Sequence, residues 1–135
     1  MDKKEVFNTT ITCGGTLLTC LFGNWDLALQ VLIVCMVLDY IMGIMCGTKE
    51  KNLSSQIGFN GLKKKFTILI ILILAVSLDR LLGQGWIFRT LVIWFYIGIE
   101  GLSILENAVR LGVPFPDALK DVLIQLKEGN KKEIK

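Results

Sequence analysis

The sequence predicts an all-α membrane protein: three strong transmembrane helices, a weaker N-terminal membrane helix and a short amphipathic C-terminal helix, in one domain over residues 1–135. Counting glycine in and tyrosine out, roughly 61% of residues are apolar, against about 45–50% in soluble domains. Charged residues make up only 20% and are clumped, leaving helix-length apolar runs between them. A chain this small has a large surface for its volume, and its polar side chains are too few to cover it evenly. A soluble bundle of unusually apolar helices is the competing class, because Asp39, Asp79, Arg80, Arg89 and Glu100 interrupt every strong run. Aggregate hydropathy and helix lengths favour the bilayer.

The first element, residues 6–25, carries no charge but many Thr and Gly. Its most apolar part is short for a bilayer, so it reads as a weakly hydrophobic fourth span or as a re-entrant or interfacial segment. Residues 25–46 read as a transmembrane helix. At ~1.5 Å per residue they extend about 33 Å, enough for a ~30 Å hydrocarbon core. Trp25 can anchor at an interface, Asp26 stands at the mouth, and Gly47 with Lys49 marks the exit. A basic loop over 48–65 follows, with Ser54 and Ser55 as candidate helix caps and Lys63-Lys64-Lys65 at its end.

Residues 66–82 contain the most hydrophobic run, FTILIILILAVSL, and Gly83-Gln84-Gly85 signals a tight turn. Residues 86–111 form the next span, stopped by Gly112 and Pro114. Over 116–128, Leu119, Val122, Leu123 and Leu126 repeat at helical spacing opposite Lys120, Asp121, Lys127 and Glu128. This predicts an amphipathic helix lying on the membrane or packing between subunits, ahead of a solvated tail over 129–135.

Several chemistries are excluded early. Histidine is absent, which removes His-based catalysis, His zinc sites and a histidine pH switch. Cys13, Cys20, Cys35 and Cys46 form no CxxC and match no zinc or disulfide framework, so they read as small packing residues. No nucleophile–base pair, metal set or phosphate loop is present, so neither an enzyme nor a bound cofactor or metal is expected. A net charge of +3 is too slight for a nucleic-acid partner. Thr and Gly dilute the N-terminal stretch and no A-x-A site follows it, against a cleaved signal peptide.

Lysines set the expected orientation. The 48–65 loop holds Lys49, Lys51, Lys63, Lys64 and Lys65 against Glu50, and the tail adds Lys120, Lys127, Lys131, Lys132 and Lys135. The positive-inside rule puts this loop and the C-terminus in the cytoplasm. Four membrane helices would put the N-terminus, with Lys3 and Lys4, inside as well; three would put it outside.

Ions inside the spans are the candidate functional groups. An Asp or Arg at a helix centre costs about 2.5–3.5 kcal/mol on insertion scales, so such residues want partners. Folding the hairpin about Gln84 brings Asp79 and Arg89 to equal depth, where they pair or snorkel separately to water. Folding each hairpin about its loop centre puts Asp39 and Glu100 near mid-bilayer, with no cation at matching depth. Tyr96, Glu100, Ser103 and Asn107 share one helical stripe, and Asp39, Gly43 and Gly47 share another, whose small residues allow close helix approach. These faces either pack within one monomer or line an intersubunit aqueous path, for which oligomers are required.

Several ordered motifs are also present: Leu38-Asp39-Tyr40 with Gly43; Leu53-Ser54-Ser55 with Gly58, Gly61 and the basic run; Leu78-Asp79-Arg80; and Phe95-Tyr96-Ile97. The most specific is Glu100-Gly101-Leu102-Ser103-Ile104-Leu105-Glu106-Asn107 leading to Gly112-Val113-Pro114-Phe115-Pro116. With these the chain resembles the toxin-secretion/phage-lysis holins, bacteriophage holin family 4, over nearly its whole length. Met42 and Ile99 depart from that pattern, where Thr and Asn are common. The resemblance implies a small protein of the bacterial cytoplasmic membrane that accumulates harmlessly and then oligomerises abruptly into lesions. Its partners would be membrane lipid, further copies of itself and, functionally, an endolysin or a secreted toxin. A selective small-ion or solute transporter or channel subunit is the alternative, since intramembrane carboxyls suit it equally; a non-conducting accessory subunit is a third.

Overall fold

The computed structural model describes residues 2–51 and 53–129 as five helices: α1 (Lys3–Phe22), α2 (Leu27–Lys49), α3 (Ser55–Leu82), α4 (Ile87–Arg110) and α5 (Asp117–Glu128). Among the described residues there are no strands. Beyond Gly129, the tail expected over 129–135 lies outside the described residues, with the lysines at 131, 132 and 135.

Local chemistry sets the helix ends. The Asp26 carboxylate accepts the Leu29 N–H at 3.0 Å to cap α2, and Ser54 Oγ accepts the Ile57 N–H at 3.3 Å to cap α3. Gly83 closes α3 in the left-handed region (φ 66°), its N–H donating to the Asp79 carbonyl. Gly23 closes α1 at φ 81°, and a Cβ there would lie 2.7 Å from Arg89 Nε. Glycine thus permits the turn and leaves room for an incoming side chain.

The main departure from the expected boundaries is α3. It begins at Ser55, so most of the basic loop expected over 48–65 is helix and only residues 50–54 connect α2 to α3. The Ser54 cap starts the helix early, and Gly58 and Gly61 are accommodated because the Tyr40 ring packs over them. The remaining helices fall close to the ranges expected, α1 starting three residues early and α2 ending three residues late.

Helix α4 is the hub, packed against α2, α3 and α5. The core joins Leu29, Leu32 and Met36 of α2 to Ile68, Leu72 and Val76 of α3 and to Ile93 and Ile97 of α4. Helix α1 packs on α3 and is exposed over residues 3–20. Its Thr10, Thr12 and Thr16 hydroxyls donate to carbonyls one turn back at 2.8 Å, which satisfies them within the helix. Helix α5 folds back onto its own α4. A Cβ at Gly98 would lie 2.7 Å from both the Leu123 carbonyl oxygen and the Lys127 nitrogen, so the two backbones nearly touch.

Two helices, α2 and α4, are long and apolar enough to cross a bilayer. In a soluble bundle such helices would be buried, yet only 17% and 33% of their most apolar stretches are covered. Val34, Val37 and Ile41 of α2 and Leu91 and Trp94 of α4 are among the residues left bare. The third strong span expected, over 66–82, does not meet the same measure. Every bilayer-length stretch of α3 includes at least three ions, drawn from Lys63, Lys64, Lys65, Asp79 and Arg80.

Candidate functional site

The bundle has two ends. At the turn end lie the connections 23–26 and 83–86; at the basic end lie 50–54 and 111–116. Each end gathers ions from α2, α3 and α4, or from their caps, into one cluster.

At the turn end, Arg89 is 3% exposed. Its guanidinium donates to the Phe22 carbonyl at 2.6 Å, the Asn24 carbonyl at 2.8 Å and both Asp26 carboxylate oxygens at 2.8 and 3.2 Å. Asp79, 5% exposed, accepts the backbone N–H groups of Phe88 and Arg89 at 2.9 and 2.8 Å. It thereby caps α4 from the neighbouring helix, where Trp86 offers no side-chain cap. The expected Asp79–Arg89 pairing is therefore corrected. The two residues do meet, but through the Arg89 backbone, and the ion pair is Arg89–Asp26. The hydrogen bonds from Arg89 hold the Asp26 carboxyl below its ordinary range. Arg80 adds two bonds to the Thr19 and Cys20 carbonyls at the end of α1.

At the basic end, Lys65 Nζ bridges Asp39 at 2.8 Å and Glu100 at 2.6 Å. Asn107 Nδ2 donates to the other Asp39 oxygen at 3.3 Å and Arg110 donates to Asn107 Oδ1 at 3.2 Å. Arg110 also grips Glu50 with two bonds at 2.7 and 3.0 Å, which hold the Glu50 carboxyl below its ordinary range. These groups line a partly open cleft of about 460 Å³ between α2, α3 and α4.

Of the residues expected on a pore or oligomer face, the cleft brings together Asp39, Gly43, Gly47, Glu100, Ser103 and Asn107. Tyr96 is elsewhere: it packs against the apolar core and meets the Phe95 ring edge-on, with centroids 5.0 Å apart. Asp39 and Glu100 were expected to lack a cation at matching depth, and Lys65 corrects this. Sequence reasoning missed Lys65 because it folded the hairpin about the middle of a long loop. Asp39 lies eleven residues before Glu50 and Lys65 eleven after Ser54, so taking Ser54 as the helix start would have paired them. Arg110 and Glu50 were missed because both stand at helix ends, where solvent alone accounts for a charge.

Long apolar helices left uncovered, with carboxylates and a lysine gathered in a side cleft, define a small helical membrane protein. Residues 16–128 match the bacteriophage holin family, and the chain belongs to that family. Among its relatives is an "Uncharacterized 14.9 kDa protein in nagH 3'region" of Clostridium perfringens, 54% identical over 87% of this chain and 89% of the relative. A Listeria innocua protein, Lin0175, is 40% identical over 88% of this chain and 86% of its own length. A probable holin of Bacillus phage phi105 is 29% identical over 76% of each chain. No solved structure matches.

Proposed function

We propose that this chain is a holin that self-assembles in the bacterial cytoplasmic membrane and opens non-specific lesions, through which an endolysin or a toxin leaves the cell. Family membership supports the class of activity. The observation that carries the mechanism is the Asp39–Lys65–Glu100 triad in a partly open cleft. One chain of this size is too thin to enclose a wide channel, whereas a second copy across the cleft would turn a groove into a water-lined path. Uncovered apolar faces on α2 and α4 provide the lipid contact.

In this reading α3 is a third span and α1 a weaker membrane helix. The basic end faces the cytoplasm together with the C-terminus, as its lysines favour. The protein works without a catalytic group.

Purified protein reconstituted into liposomes loaded with dyes of graded size tests the proposal. Release of all dyes in the same interval is the expected result. Retention of every dye while an ion passes would instead support a selective transporter. Release of neither dye nor ion would overturn both.

A further inference from the structure

Helix α5 does not stay at the basic end. It folds back along α4 until the Lys127 nitrogen lies 2.7 Å from where a Gly98 Cβ would stand. Gly98 is eleven residues from Ile87 and twelve from Arg110, so α5 reaches the middle of a span. Exposed Asp117, Asp121 and Glu128 line one narrow stripe of α5 at about 3.6 residues per turn. The stripe is turned away from the Leu123 and Lys127 side that meets α4. Among the described residues these three carboxylates have no hydrogen bond or ion pair. Lipid is a poor neighbour for them at this depth.

Helix α3 carries a matching stripe of exposed Gln56, Asn60, Lys63 and Thr67. Their polar groups reach only their own helix. Gln56 Nε2 donates to Asn60 Oδ1 at 3.4 Å, the Thr67 hydroxyl donates to the Lys63 carbonyl at 2.9 Å, and Lys63 Nζ sits 4.7 Å over the Phe59 ring. Lys65 is level with Glu100 and Lys127 with Gly98, which puts Thr67 and Glu128 at the same depth. From there each stripe runs eleven residues back, about 17 Å at ~1.5 Å per residue. Both helices run from the basic end towards the turn end. Around the helix, exposed Phe59 and Phe66 precede the α3 stripe, whereas exposed Ala118 and Val122 follow the α5 stripe. Face to face, two parallel helices bring these apolar flanks to the same side of the contact.

We propose that the α3 stripe of one copy packs against the acidic α5 stripe of the next, with Lys63 between Asp121 and Glu128. Within one chain α3 and α5 do not touch, so a copy cannot satisfy its own stripes. The contact is head to tail, and such a contact repeats into a ring or a filament. This rests on α3 and α4 spanning the membrane, as in the proposed function.

The test uses full chains in which the exposed Cys13 and Cys20 are replaced by serine. One batch carries Gln56→Cys and another Asp117→Cys, reconstituted alone or mixed in phosphatidylethanolamine and phosphatidylglycerol vesicles and oxidised with copper phenanthroline. The mixture should give cross-linked dimers and neither batch alone should. A chain with both substitutions should give a ladder, and Ser77→Cys, exposed but deeper on α3, should not link to Asp117→Cys. Adding Lys63→Glu to the Gln56→Cys chain should cut cross-linking roughly fivefold, and Asp121→Lys in its partner should restore it. Dimers within a single batch, no dimers in the mixture, or indifference to Lys63→Glu overturns the inference, even if dye is released throughout and the holin reading stands. The expected cross-links without any dye release support the inference and remove the lytic function.

Discussion

The ionic clusters at the two ends use the same residue types for opposite purposes. At the turn end, Arg89 is buried and held by two backbone carbonyls as well as by Asp26, while Asp79 caps a helix. Each ion there is fixed by main chain, so the cluster staples α1, α2 and α4 to α3. At the basic end, Lys65 is held by two side-chain carboxylates, Asp39 and Glu100, and all three line a partly open cleft. Main-chain partners lock a geometry, whereas side-chain partners beside water can be exchanged. One end is therefore fixed by main chain, and in the proposed assembly the other is where partners would change when copies meet.

Substitutions at the turn end should separate from those at the basic end by how much stability they remove. Arg89→Leu strips the α1–α2 turn of its anchor and should cost about 3–5 kcal/mol, read as thermal unfolding in detergent. Lys65→Met leaves Glu100 without its cation but leaves Asp39 its bond from Asn107, and both line the partly open cleft, so its cost should be smaller, about 1–3 kcal/mol. That variant should nonetheless change the onset of permeabilisation far more than its stability loss explains. If Lys65→Met proves as destabilising as Arg89→Leu, the division between the ends fails.

The contact between α4 and α5 tests the basic end from its other side. Gly98→Val forces its side chain into the α5 backbone, 2.7 Å from the would-be Cβ. It should cost about 1–3 kcal/mol and raise amide exchange across α5 without loosening the turn end. Exchange at α5 equal to that of the native chain would mean the helices are not held there.

The smallest effect concerns acid. Asp26 has a depressed pKa because Arg89 donates to it, so its contribution is fully present above the ordinary aspartate range. It is lost as pH falls through the depressed value. The Asp26 side chain is 44% exposed, which limits the contribution to ~1 kcal/mol or less. Native protein should be more stable than Asp26→Asn at pH near ~7, and the gap should close below about pH 4. A gap that persists in strong acid would show that the carboxylate charge is not what Arg89 recognises.

Much of this fold is written in local pattern. The apolar runs of α2 and α4, the Gly83 turn and the amphipathic spacing of α5 are each legible because one short stretch decides them. Six of the seven expected face residues converge on one cleft because helical spacing fixes which positions share a side. Partner identity was not legible. Lys65 reads as one of three successive lysines until α3 is known to begin at Ser55, and Arg89 reads as the mate of Asp79 until the end of α1 arrives beside it. Tyr96 lies on the expected stripe, yet its ring turns to the apolar core, because a stripe fixes direction and not the neighbour it meets. The docking of α5 on Gly98 is likewise a contact between elements, and no periodicity encodes it.

Membrane potential in single bacterial cells speaks most directly to the role of the basic-end cleft. Native chain and Glu100→Leu would be expressed to equal membrane levels and followed with a potential-sensitive dye. The expected result is an abrupt collapse with the native chain and a delayed or absent one with the variant. Collapse at the same moment in both would contradict a working role for the cleft.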